Sequence, residues 1–281
     1  MTSMEDKLFE LVTRTSTDLP TDVEAALQNA WVGEPDDSSC RAALGTILEN
    51  VQLARQNQQP ICQDTGTLQF YVEAAPDLSP EAFRQAAENA IIKATERGIL
   101  RQNCVETLSG HNTGNNLGYL SPGIHWQNSP NQNSLVTLML KGGGSENMSR
   151  QYSLPEAELK AGRDLEGVRR CILDAVWKIQ GLGCGPGILG IAIGGDRAGG
   201  YEESKLQLLR KIGERSAQPA LAALETRLKE ECNLLGIGTM GFGGKTTVLD
   251  VFLSTRCRLP ASYFVSISYM CWCCRRQSIS L

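Results

Sequence analysis

The chain has 281 residues, 41% of them hydrophobic and 21% charged, with a formal net charge of −4 and a pI near 5.4. That length is enough to bury a substantial core, and the acidic balance excludes the basic surface that nucleic acid or an anionic membrane would need. No apolar run reaches the ~18 residues that cross a bilayer, and the N-terminal MTSMEDKLFELVTR lacks the apolar stretch of a signal peptide, so a cytoplasmic location is expected. Ten cysteines would stay reduced there, which favours metal ligands and buried thiols over disulfides.

The first hundred residues read as mainly helical. Short amphipathic helices are expected over Met4–Arg14 and Asp22–Trp31, the second opened by Pro20 and Thr21. Ser38 to Asn57 is a stronger helix, with Cys40, Ala43, Leu44, Ile47, Leu48, Val51 and Ala54 at helical spacing on one face. Pro60 stops it and Cys62-Gln63-Asp64-Thr65-Gly66 follows as a loop. Ser79-Pro80 caps and opens a further helix whose buried stripe is Phe83, Ala86, Ala87, Ala90, Ile91 and Ala94.

The middle changes character. Asn103 to Gly118 has no periodicity and reads as a loop, and Ser134–Lys141 as a strand entering Gly142-Gly143-Gly144. A helix from about Gly162 to Ile179 turns Leu165, Val168, Ile172, Val176 and Ile179 inward. The turn GLGCGPG, a strand Ile188–Ile193 and a Gly-Gly-Asp turn come next. Helices near Glu202–Ile212 and Pro219–Leu235 precede the glycine-rich GIGTMGFGGK, and strands around Thr246–Leu253 and Ser262–Met270 close the pattern. The fold class is therefore mixed α/β (α+β): one compact domain over 1–281, helices around a mixed sheet, with no linker or repeat.

Most of the cysteines read as packing residues. Cys40, Cys171 and Cys232 fall on or beside apolar helix faces, and Cys104 and Cys257 have no context that argues otherwise. Cys62, Cys184 and Cys271 sit where the backbone turns or a strand ends. Their separations are far too long for a compact ferredoxin or zinc-ribbon pattern, so only a fold can bring them together. On residue chemistry a three-thiolate metal site, a structural zinc and plain buried thiols all remain open. His111 and His125 lack ligand spacing.

Taken together, PICQDTGT, KGGGSEN, GLGCGPG, GTMGFGGK and RLPASYFVSISYMCW resemble the catalytic α region of class I fumarate hydratases and L-tartrate dehydratases, in the same order and from about residue 40 to 276. The resemblance implies a [4Fe–4S] hydro-lyase in which Cys62, Cys184 and Cys271 hold three irons and the fourth is left open as a Lewis acid. It implies Asp64 as catalytic residue, and Gln63, Asp64, Arg101, Gly143 and Gly144 as contacts to a small dicarboxylic acid. Arg101 would grip a carboxylate with its planar fork; a solvated helix-end arginine is the plain alternative, as a turn residue is for Asp64. Leu259 stands where many members have histidine, and Cys273 and Cys274 fall off the ligand position.

The chain ends at Leu281, too soon for the β region that completes the site in single-chain members. The resemblance therefore implies a separate β subunit, with paired α chains in a heterotetramer; a truncated gene is the other reading, since the closing QSISL matches no motif. Fumarate hydratase is the leading activity, L-tartrate dehydratase its rival, and a non-catalytic iron–sulfur binding or sensing protein the alternative from another class.

Overall fold

A computed structural model describes residues 3–281 and is mixed α/β, as the sequence implies. In chain order the first elements are α1 (Met4–Thr17), α2 (Thr21–Gly33), α3 (Ser39–Asn57), β1 (Thr67–Ala74), α4 (Pro80–Glu96) and β2 (Gly123–Asn128). They are followed by β3 (Leu135–Lys141), α5 (Gly143–Asn147), β4 (Arg150–Ser153), α6 (Leu165–Ile179), β5 (Gly187–Gly194) and α7 (Arg197–Gln207). The last are α8 (Pro219–Leu234), a 3₁₀ turn at Thr239–Gly241, β6 (Val248–Arg256), β7 (Phe264–Met270) and β8 (Arg275–Ser280).

These elements gather into two compact units. The first comprises Met1–Pro20, Glu49–Gly143 and Cys273–Leu281, and the second Thr21–Leu48 and Gly144–Trp272. No linker marks the division, because the chain passes between units at 20/21, 48/49, 143/144 and 272/273 instead of finishing one before starting the other.

In the first unit the strand order is β2-β1-β3-β8, with β1 and β2 parallel and the other pairs antiparallel. Alternate residues Leu68, Phe70, Val72 and Ala74 of β1, with Val136, Leu138 and Leu140 of β3, enter one core with Leu8, Leu11 and Val12 of α1 and the Phe83–Ala94 stripe of α4. Phe83 stands edge-on to Phe70 at 5.7 Å and to Trp126 at 5.9 Å. Ser79 caps α4 by accepting the Ala82 N–H, with Pro80 in the first turn, as the sequence signals.

In the second unit the order is β4-β7-β5-β6, with β5 and β6 parallel and β5–β7 and β7–β4 antiparallel. Every residue of β5 is buried, so both faces of the sheet are covered. Leu189, Ile191 and Ile193 meet α6 and α8 through Val168, Ile172, Leu224 and Leu228. Gly190 lies against α7: a Cβ there would overlap the Ser204 carbonyl oxygen and stand 3.0 Å from Leu208 Cγ, so only glycine lets the helix come this close.

Several details depart from the sequence expectations. β1, β2, β4 and β8 were not anticipated, and the closing QSISL lies within β8 and the residue after it. The helix expected near Glu202–Ile212 begins earlier, because Asp196 of the Gly-Gly-Asp turn is its N-cap and accepts the Gly199 N–H at 2.8 Å. Leu165, expected inward, is 39% exposed, being the first residue of α6 beside its cap Asp164. Cys257 is exposed just past the end of β6, whereas Cys40, Cys171 and Cys232 are fully buried, as expected. Among the described residues no helix is long and apolar enough to cross a membrane.

Candidate functional site

The Cys62–Gly66 loop belongs to the first unit and is fastened on both sides. The Ile61 N–H donates to the Ser16 carbonyl and the Asn50 amide donates to the Ile61 carbonyl, each at 3.0 Å. At the far end the Thr65 hydroxyl donates to the Arg101 carbonyl at 2.7 Å, which also accepts the Asn116 amide at 2.9 Å. Gly66 has φ +77°, and a Cβ there would lie 2.6 Å from the Lys141 carbonyl group, so the turn can be made only by glycine.

The Asp64 side chain is held by three hydrogen bonds. Its Oδ1 accepts the Gly66 N–H at 2.9 Å and the Asn103 amide at 2.6 Å, while Oδ2 accepts the Gly143 N–H at 2.7 Å. It is thus the turn residue of the plain reading and is also aimed by two remote segments. Gly142 makes room for it, since a Cβ there would stand 2.9 Å from Oδ2. Gln63, Asp64, Arg101, Gln102 and Asn103 line an open cleft of about 610 Å³. Gln63 and Arg101 are exposed, and among the described residues nothing engages the Arg101 guanidinium, which leaves its fork available to an anion in the cleft.

Cys62 is half-buried, and its sulfur accepts the Asp64 N–H at 3.4 Å. A hydrogen bond from the Cys273 thiol, then that N–H and the positive charge of Arg275, outweigh burial and the Asp64 carboxylate, and lower the thiol pKa to about 6. Burial instead pushes the Cys171 and Cys232 thiols up to about 12, as expected of packing residues. Arg275 is only 2% exposed; its Nη2 donates to the Asp64 carbonyl at 2.7 Å, while Nε and Nη1 have no acceptor among the described residues. Buried donors left unmade cost ~1–3 kcal/mol each, and more on a charged group.

In the second unit Cys184 is exposed and has φ 52°, in the left-handed region its glycine-rich surroundings tolerate. The GLGCGPG turn wraps the Tyr269 ring: a Cβ at Gly183 would stand 2.6 Å from it, and one at Gly187 would overlap it. Register sets Cys271 beside this turn, since Ile188 pairs with Met270 and the Trp272 N–H donates to the Cys184 carbonyl at 3.3 Å. The Cys271 N–H donates to the buried Ser145 hydroxyl at 3.2 Å. Burial, and then the nearby Cys271 and Cys184 sulfurs, raise the Tyr269 pKa.

Of the expected ligands, Cys184 and Cys271 are therefore brought together, and Cys62 belongs to the other unit. Gly143 and Gly144 open the short α5 where a plain turn was expected, and no atom lies within 4 Å of a Cβ built at Gly144, so no neighbouring group requires glycine there. Among the described residues no group of three or more His, Cys, Asp or Glu is gathered around one metal position. By donor chemistry, a thiol of low pKa with an N–H on its sulfur in one unit, and a pair of cysteines at a glycine-rich turn in the other, are each of the soft kind that an iron–sulfur group takes. His125 stacks on Tyr71 at 4.6 Å and bonds Gln69, His111 is exposed, and Leu259 is 72% exposed. Asn103, Tyr269 and Arg275 had no sequence signal, because each acts through a segment remote in the chain.

The family model for fumarate hydratase (Fumerase) matches residues 5–280, and the chain belongs to that family. It is 42% identical over its whole length to a protein named as a class I fumarate hydratase in Geobacillus stearothermophilus, of which it covers 55%. It is 35% identical to a protein of Methanocaldococcus jannaschii and 31% identical to one of Escherichia coli K12, both named as L(+)-tartrate dehydratase subunit alpha. It covers 95% and 90% of these, with 97% and 98% of its own length aligned. The chain thus spans about half of one relative and nearly all of the other two.

Proposed function

We propose that this chain, over 1–281, is the α subunit of an iron–sulfur hydro-lyase that adds water reversibly to fumarate to give L-malate. The observation that carries the reading is the cleft in which Asp64, fixed through both carboxylate oxygens, faces the same space as the unengaged fork of Arg101. Cys62, Cys184 and Cys271 would hold a [4Fe–4S] cluster; when bound, its open iron supplies Lewis-acid activation of a substrate hydroxyl. Arg101 binds one carboxylate of the diacid through paired hydrogen bonds. Gln63 and the backbone at Gly143 and Gly144 orient the rest, and the Asp64 carboxylate exchanges a proton with the hydroxyl that is added or lost. Leu259 removes histidine from any such role at its position.

Fumarate is favoured by the 42% identity to a relative carrying that name. L-tartrate is the second reading, because the relatives that the chain matches nearly end to end are tartrate dehydratase alpha subunits. On either reading a separate β subunit supplies the remaining substrate contacts in an α/β heterotetramer. A cytoplasmic setting keeps all ten cysteines as the thiols seen here.

Anaerobic reconstitution tests the reading. About four irons per chain should load, and the chain combined with a β-type partner should turn over fumarate faster than L-tartrate. Cys62→Ser, Cys184→Ser and Cys271→Ser should each lose iron and Cys171→Ser should not. A chain that binds zinc alone, or loses no iron in the three variants, would refute it.

A further inference from the structure

We propose that Arg275 is a positioning residue for the anionic group held at Cys62: one guanidinium nitrogen fixes the Cys62–Asp64 loop, and the others are donors reserved for that group. The inference rests on the reading of Cys62 as a cluster ligand and names a residue which that reading does not contain.

Three observations support it. First, Arg275 is 2% exposed, yet no carboxylate of the described residues pairs with it. Two fully buried carboxylates behave differently: Glu225 is met by Arg210 at 2.7 Å and Asp250 by Arg215 at 3.0 Å. A buried cation without a counter-ion calls for an anion that is absent from the polypeptide's own carboxylates. Second, the one side-chain hydrogen bond that Arg275 makes among the described residues goes to the Asp64 carbonyl, and the N–H of Asp64 donates to the Cys62 sulfur. The guanidinium is thereby tied to the ligand loop itself. Third, Nε and Nη1 have no acceptor among the described residues, and a planar fork is the geometry that serves two acceptors at once. Thiolate and cluster sulfur are acceptors of this kind, and donors to them set how firmly the group is held and how readily it takes an electron.

Lysine cannot replace such a fork, because it keeps the charge and loses the paired donors. The test uses the anaerobically reconstituted wild-type chain beside Arg275→Met and Arg275→Lys. Iron and sulfide per chain, the rate of iron loss to a ferrous chelator and the cluster reduction potential are measured, with thermal unfolding of each cluster-free chain as a control. Arg275→Met should hold iron about tenfold or more less tightly, with the potential shifted negative because a positive charge no longer stabilises the reduced cluster. Arg275→Lys should recover most of the potential but not the retention; should the methionine variant not fold, the lysine variant alone carries the retention test. If the wild-type chain loads and both variants match it in retention and potential, the role of Arg275 is wrong and the cluster reading stands. If the wild-type chain takes up no iron, the cluster reading falls and this role with it.

Discussion

Asp64 shows how a residue can be a turn former and a chemical group at once. Its Oδ1 closes the local turn to Gly66 and, with Oδ2, also receives donors from Asn103 and Gly143, segments distant in the chain. The local bond is what sequence chemistry can see, because aspartate followed closely by glycine makes that turn almost anywhere. The Asn103 bond is invisible until the Asn103–Gly118 loop is folded, so the sequence around Asn103 carries no sign of it. Removing one of three bonds that aim a carboxylate should cost activity without loosening the fold. Asn103→Ala, in the chain reconstituted with iron and a β-type partner, is expected to lower kcat about tenfold, the value of one hydrogen bond to a charged group, with an unchanged unfolding midpoint. A kcat equal to wild type would show that the Gly66 and Gly143 bonds orient Asp64 by themselves.

Among the elements, legibility follows apolar patterning. α4 could be read from the Ser79-Pro80 cap and an apolar stripe, and the buried β3, β5 and β7 from their apolar runs. Three of the four missed strands, β2, β4 and β8, lie at sheet edges and carry polar sequences such as RQYS and RRQSIS, which lack an apolar alternation. The fourth, β1, is interior and alternates, but Phe70, Tyr71 and Val72 put apolar residues on both faces and blur its period of two. Close packing of β5 against α7 gives the sharpest test at this scale. Gly190→Ala would push a methyl group into the Ser204 carbonyl, and is expected to destabilise the fold by at least about 1–3 kcal/mol, the usual range for overpacking. Urea unfolding should show the loss, and an unshifted midpoint would mean that α7 can move aside at little cost.

For the whole molecule, the decisive feature is that each unit is built from separated stretches of chain. β8 comes from the last residues yet pairs along β3 from Leu135↔Ser280 to Leu140↔Arg275 and packs against α1. A chain ending at Trp272 is therefore expected to lose amide-exchange protection across β3 and α1 while β5 and β7 keep theirs. Equal protection throughout would show β8 to be dispensable. The same arrangement orders events during synthesis. Domains generally fold as they leave the ribosome, at roughly 5–20 residues per second, but here Cys273 and Arg275, the groups that act on the Cys62 sulfur, lie far beyond it in the chain and emerge long after it. The surroundings of that thiol therefore cannot be completed until synthesis has passed Arg275, so the loop that carries Cys62 must wait, with its sulfur uncovered, for a strand made much later.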